Sequence, residues 1–255
     1  MIDVHCHLEQ KDYDSDREAV IEKCRASGLR AVITSCANPK DWELTKEIAS
    51  KHSGFVFACA SIHPEYVKEV TAEEISGFIG LLKRENECIV SVGETGLDYN
   101  WVKETEWRVK QEEMFRKFIA LSKELGKPLV IHARDAYDDV VRVLEEEGAK
   151  RVLLHMFGAN QLTKRVVDNG WNVSMNAVVL RSKKHGKVVR DVPLGQLMLE
   201  TDAPWLHPSG SGRNDPSSIR AVAEKIAEIK RLSFDEVWNA CGRNAVGFFE
   251  LPVKI

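Results

Sequence analysis

The chain has 255 residues, 44% of them hydrophobic and 29% charged, with a formal net charge of −3, a balance ordinary for a soluble globular protein. No run of about 18 apolar residues occurs, which excludes a helical membrane span. The slightly acidic total excludes a broadly basic surface, so any chemistry on nucleic acid needs a local positive centre.

The first residues, Met1-Ile2-Asp3-Val4-His5, lack a basic and then apolar leader, so a cytoplasmic location is expected. A strand over Ile2–His5 is followed by an amphipathic helix over Asp16–Ser27, ended by Gly28 where a left-handed residue is expected. The alternation continues with strand Ala31–Ser35 and helix Asp41–Ser50, then strand Phe55–Ala60 and helix Ala72–Arg84. Strand Ile89–Val92 precedes helix Glu106–Leu125 with its stop at Gly126, and strand Leu129–His132 precedes helix Ala136–Glu147 with its stop at Gly148. Strand Val152–His155, helix Gln161–Asn169, strands Trp171–Ser174 and Leu197–Glu200, and helices Ser217–Lys230 and Phe234–Phe249 complete the series. Eight apolar strands separated by helices predict a parallel sheet with right-handed crossovers. The count of eight favours closure into a (β/α)₈ TIM barrel over an open doubly wound sheet, which would normally show GxGxxG after an early strand; none is present.

No internal repeat or low-complexity tract interrupts this order, and the Gly/Ser-rich stretch Ser209–Asp215 is short enough for one loop, so residues 1–255 read as one domain. Six cysteines occur without a CxxC pair, and Cys36, Cys59 and Cys88 lie in or beside apolar runs. Buried, unpaired thiols in a reducing compartment are expected.

In a barrel the reactive groups stand at the C-terminal ends of the strands and in the loops behind them. His5 and His7 close the first strand, Glu94 follows the fourth, His132 and His155 end the fifth and sixth, and Asp202 follows the eighth. Residues two apart on an extended chain share a face, so His5 and His7 point together. Each of these residues alone has a plainer explanation, as a hydrogen-bonded core histidine or a helix-capping aspartate. Together, six nitrogen and carboxylate donors on one rim predict two divalent ions, roughly 3.5–4 Å apart, sharing a carboxylate. The donor set suits Zn²⁺, Mn²⁺, Co²⁺ or Ni²⁺, with Mg²⁺ kept in the range, better than an all-oxygen ion such as Ca²⁺. Two such ions against two carboxylates leave a net charge of about +2, which attracts a phosphodiester oxygen and acidifies bound water. Asp3 shares the parity of His5, and Glu200 that of Asp202, so both are expected to point into the barrel, orienting an imidazole or joining a polar layer.

The motifs Asp3-Val4-His5-Cys6-His7-Leu8, Ile62-His63-Pro64, Val92-Gly93-Glu94-Thr95-Gly96-Leu97-Asp98, His132-Ala133-Arg134-Asp135, His155-Met156-Phe157-Gly158 and Glu200-Thr201-Asp202-Ala203-Pro204 resemble those of the TatD-type deoxyribonuclease family. That family lies in the amidohydrolase superfamily of metal-dependent barrels. The loop Gly212-Arg213-Asn214-Asp215-Pro216 and the late Asn244 with Phe248-Phe249 match too, so the resemblance runs from Ile2 to about Phe249. It implies one ion on His5, His7, Glu94 and Asp202 and a second on Glu94, His132 and His155. Asp202 takes the proton of the attacking water, and His63 meets the substrate phosphate. Arg213 is a further candidate for a phosphate oxygen, since a guanidinium can bind two oxygens at once. The implied activity is hydrolysis of DNA phosphodiesters, removal of nucleotides from an end included; the sequence leaves the oligomeric state open, a monomer being compatible, and its lack of a long apolar run argues against a membrane partner.

Two stretches depart from the family pattern. His155 is followed by Met156-Phe157-Gly158-Ala159, where many relatives carry Cys-Phe-Ser-Gly, and Ser174-Met175-Asn176-Ala177 lacks the glycines often found there. Neither touches a proposed ligand. Two other readings compete: hydrolysis of a carboxylic ester or amide, such as an aminoacyl-tRNA ester, and a non-enzymatic metal-binding scaffold. Retention of all six ligands disfavours the scaffold, which has no need of an open coordination position.

Overall fold

A computed structural model describes residues 1–255. Its strands are β1 (Ile2–Cys6), β2 (Ala31–Cys36), β3 (Val56–Ala60), β4 (Ile89–Asp98), β5 (Leu129–Arg134), β6 (Val152–Leu154), β7 (Asn172–Met175) and β8 (Leu197–Leu199). They form one eight-stranded sheet in chain order, each strand parallel to the next. Beyond β8 the backbone fastens back onto β1: the Asp202 N–H donates to the His5 carbonyl at 2.9 Å, and the His7 N–H to the Ala203 carbonyl at 2.7 Å. The sheet thereby curls into a nearly closed barrel, as the strand count predicts.

Around it run α1 (Arg17–Ala26), α2 (Trp42–Lys51), α3 (Ala72–Arg84), α4 (Thr105–Leu125), α5 (Tyr137–Glu146), α6 (Thr163–Asp168), α7 (Lys183–Asp191), α8 (Ile219–Lys230) and α9 (Phe234–Phe249). The starts of α3 and α9 are fixed by reciprocal capping boxes, Thr71 with Glu74 and Ser233 with Glu236, each satisfying two otherwise orphaned N–H groups. Gly126 ends α4 at φ 64°, the left-handed residue expected there. None of these helices is long and apolar enough to cross a membrane.

The apolar residues divide between two layers. One lies between strands and helices; the other fills the barrel with Ile2, Val4, Ala31, Ile33, Cys59, Val130, Leu153 and Met198. Ala245 and Phe249 of α9, with Leu251 behind it, pack onto that inner cluster, so α9 plugs the barrel at the end where the strands begin. The other end is left for polar groups.

Two expectations need correction, and one helix has no counterpart in the predicted series. The segment Lys183–Asp191 is helical although only Val188 and Val189 are buried on it, too narrow an apolar stripe to be read against its lysines and Gly186. Strand β4 continues six residues past Val92 to Asp98, because Gly93 and Gly96 let a polar strand follow β5 closely. Cys88 is exposed; it sits in the short turn before β4, whereas the other five cysteines are buried and none is paired. Burial pushes the Cys59 and Cys241 thiols up to about 12. A disulfide-forming thiol reagent should therefore titrate one cysteine rapidly in the native protein and the rest only on unfolding. Rapid reaction of two or more would contradict this packing.

Candidate metal centre

The six candidate ligands converge at the C-terminal end of the barrel. His5 lies on β1 and His7 just past it, Glu94 on β4, His132 on β5, His155 just past β6, and Asp202 three residues past β8. Local backbone geometry brings them together. Gly96 has φ 146°, and a Cβ there would stand 2.0 Å from the His132 carbonyl oxygen. Only glycine allows β4 this close to β5, so Glu94 and His132 come to share one site. Asp202 and Met156, the latter directly after His155, hold positive φ of 58° and 44°. Left-handed backbone at non-glycine residues is costly, and it gathers at functional sites where surrounding structure enforces it.

The donors form two groups around the two oxygens of Glu94. On one side, His5 Nε2 is 3.2 Å from Glu94 Oε2 and 3.6 Å from Asp202 Oδ1. His7 Nε2 is 3.9 Å and 3.5 Å from the same two oxygens and 3.2 Å from His5 Nε2. Four ligands held tetrahedrally at about 2.0–2.1 Å from one ion are about 3.4 Å apart, which these separations match. On the other side, His132 Nδ1 and His155 Nε2 lie 2.7 and 2.8 Å from Glu94 Oε1 and 3.3 Å from each other. Three donors there leave room for a further ligand.

The outward nitrogens show why a cation fits. His7 Nδ1 donates to Glu9 Oε1 at 3.2 Å, and Glu9 is itself held by the Thr34 hydroxyl at 2.7 Å. His132 Nε2 donates to Asp98 Oδ2 at 2.8 Å. With those positions protonated, the inward nitrogens of neutral rings present lone pairs to one another and to carboxylates. Such facing lone pairs repel unless a cation or extra protons lie between them.

The same carboxylates favour the charged form of the His7, His132 and His155 rings. Burial alone would lower these imidazoles, but Asp202 and Glu9 hold His7 well above its ordinary 6.5, and Glu94 and Glu200 do the same for His155. Asp98 and Glu94 raise His132 likewise. Burial would raise the carboxyls, yet the facing imidazoles keep Glu94 well below its usual range and Asp202 below 3.8. A divalent ion must displace the imidazole protons, so its affinity should go on rising above pH 6.5. Calorimetry in buffers of different ionisation enthalpy measures the protons released; a count of zero would contradict this account of the site.

Glu9 and Asp98 are the orienting groups that sequence reasoning missed, although each shares the even spacing of its strand's ligand, as His5-x-His7-x-Glu9 and Glu94-x-Gly96-x-Asp98. Asp3, expected to point inwards, does not reach an imidazole. A bulge between Asp3 and Cys6 breaks the alternation, and its carboxylate instead accepts from the His5 amide and from the amide and hydroxyl of Thr201. Glu200 does face inwards: it accepts from Ser174 and Asn176, and its Oε1 lies 3.4 Å from His155 Nδ1 without a well-directed hydrogen bond.

Above the two groups opens a pocket of about 530 Å³, lined among others by His63, Arg134, Trp101, His185 and Trp205. His63 Nδ1 accepts the Glu65 N–H at 3.2 Å, and burial with the neighbouring His132 pushes the ring down to about 3. The ring is therefore neutral and its proton sits on Nε2, which points to Glu94 Oε1 at 3.6 Å. Arg213 is not among the residues lining the pocket. Its guanidinium pairs with both Asp16 oxygens and the Asp12 carbonyl, away from the pocket lining. Arg134, by contrast, lines the pocket and makes no ion pair.

The TatD related DNase family profile matches residues 2–250. The chain is 34% identical to the uncharacterized metal-dependent hydrolase YabD of Bacillus subtilis, across 98% of this chain and 99% of the relative. It is 30% identical to human deoxyribonuclease TATDN3, across 98% of this chain and 94% of the relative. The crystal structure of YJJV, a TatD homologue from Escherichia coli, superposes with a TM-score of 0.91 at 24% identity, covering 99% of this chain and 98% of the other. Matched from end to end in sequence and in barrel, the chain belongs to the TatD family of metal-dependent hydrolases.

Proposed function

We propose that the protein hydrolyses phosphodiester bonds in DNA with two divalent ions that share Glu94. The observation that carries this reading is the division of donors between the two Glu94 oxygens, with His5 and His7 near one, Asp202 beside those two rings, and His132 and His155 near the other. When bound, the ions supply Lewis acidity, drawing in a phosphate oxygen and making a nearby water easier to deprotonate. The protein's own groups do the rest. Glu9 and Asp98 hold the His7 and His132 rings in the tautomers that turn lone pairs inwards. Asp202, with its side chain 15% exposed against 4% for Glu94, is the more open of the two candidate-ligand carboxylates that line the pocket. Being ionised, it accepts the proton of the attacking water. The His63 Nε2–H donates to a non-bridging phosphate oxygen. DNA as substrate rests on relatives named as deoxyribonucleases and on a pocket offering cations and a neutral donor to an anion.

The test is purified protein with end-labelled DNA and RNA, single- and double-stranded, and each of Zn²⁺, Mn²⁺, Mg²⁺, Co²⁺ and Ni²⁺ in turn. The expected result is release of labelled DNA fragments that a strong chelator abolishes, by protein that carries close to two ions per chain. Undiminished cleavage by metal-stripped protein would sink the mechanism. Hydrolysis of an aminoacyl ester with DNA and RNA both left intact would move the site to acyl chemistry.

A further inference from the structure

Only four large hydrophobic side chains are left exposed, and two of them, Trp101 at 61% and Trp205 at 46%, line the pocket above the candidate metal centre. Leaving an indole in water costs apolar surface, and a lone one on a protein exterior needs no explanation. Two on the lip of one anion-attracting pocket are a different matter. Trp101 follows β4 and Trp205 follows β8. These strands stand four apart in a ring of eight, so the two indoles rise from opposite sides of the barrel mouth.

Each indole is tied to one donor group. The Trp101 amide donates at 2.7 Å to Asp98 Oδ1, while Oδ2 of the same carboxylate holds His132. The Trp205 amide donates to the Asp202 carbonyl at 3.0 Å, and its ring stands edge-on to His7 with centroids 4.9 Å apart. The rings are thus positioned relative to the centre. Beside Trp101 the unpaired Arg134 guanidinium lies 5.9 Å from the ring centroid, a cation placed to meet a phosphate next to whatever stacks there.

We propose that Trp101 and Trp205 are base-stacking residues, each receiving a nucleobase on one side of the scissile phosphate, with Arg134 on the flanking phosphate beside Trp101. This rests on the DNA reading above. A phosphate seated centrally has a nucleoside on either side, and an exposed aromatic face binds any base because every base has a π-face. Bases can reach opposite lips only when they are unpaired and splayed, so the indoles select for flexible strands. They are specificity residues and take no part in bond breaking.

The experiment measures kcat/KM on a single-stranded oligothymidylate and on bis(p-nitrophenyl) phosphate, for wild type and for Trp101→Leu, Trp101→Phe, Trp205→Leu and Trp205→Phe. Leucine keeps apolar bulk but removes the π-face, so each leucine variant should lose about tenfold on the oligonucleotide, chiefly in KM. Phenylalanine should restore most of it, a rescue that a purely structural role for the side chain does not produce. Leucine and phenylalanine variants indistinguishable from each other, or all within twofold of wild type, overturn the stacking proposal. Wild-type protein that hydrolyses bis(p-nitrophenyl) phosphate but leaves the oligonucleotide intact overturns the DNA reading, and the stacking proposal with it.

Discussion

Glu94→Ala should empty both donor groups at once and lower hydrolysis by on the order of 10³-fold or more, since the charge stabilisation a metal pair supplies is several kcal/mol. The reason lies in where its oxygens point: Oε2 towards His5 at 3.2 Å, Oε1 towards His132 at 2.7 Å and His155 at 2.8 Å. His155→Ala is the control: its Nε2 lies 2.8 Å from Glu94 Oε1, so as a proposed ligand of the second ion alone its loss should leave the first nearly full, although His155 also stands beside His5 and Asp202. Metal titration of both variants decides the matter, and equal loss of both ions in each would deny Glu94 its shared position. Folding is checked by circular dichroism of the metal-free proteins, since Glu94 is buried among imidazoles.

Asp202→Asn should keep most of the metal and lose most of the rate. Asparagine retains an oxygen able to coordinate but neither the negative charge nor the capacity to accept a proton. Removing a positioned acid–base group typically costs about 10²–10⁴-fold, whereas the other donors to the first ion, His5, His7 and Glu94, remain. If Asp202 served only its turn, the substitution would be nearly silent, because asparagine tolerates the left-handed backbone at φ 58° at least as well as aspartate. Measured at saturating metal, a kcat within a few-fold of wild type would exclude Asp202 as the base.

The barrel could be read from periodicity because each strand is a short apolar run with turn residues around it, as at Ile89–Val92 and Leu129–His132. What escaped was structure that depends on neighbours in space. The extension of β4 to Asp98 is polar and glycine-broken, and only its fit against β5 makes it a strand. Helix α7 carries too few apolar residues to stand out. The six convergent donors followed from strand-end position alone, which is local information. Their orienting partners did not: Glu9 and Asp98 act through side-chain direction, and a register shift between Asp3 and Cys6 that no spacing rule reveals leaves Asp3 on the His5 amide and Thr201. The pairing of Arg213 with Asp16 was equally illegible, since it joins residues 197 positions apart in the chain.

The join between β8 and β1 runs through the candidate centre itself. The two backbone bonds that fasten it belong to Asp202 with His5 and to His7 with Ala203, and three of these four residues are proposed ligands of a single ion. An ion held there would bridge the first strand to the last and so act as a staple between segments, His7 and Asp202, that lie about three quarters of the 255-residue chain apart. Closing a loop of that size costs conformational entropy in the unfolded chain, and an ion that binds only the folded form repays part of it by mass action. If the ion is such a staple, metal binding and closure of the cylinder are coupled, and metal-loaded protein should resist proteolysis better than protein stripped of metal.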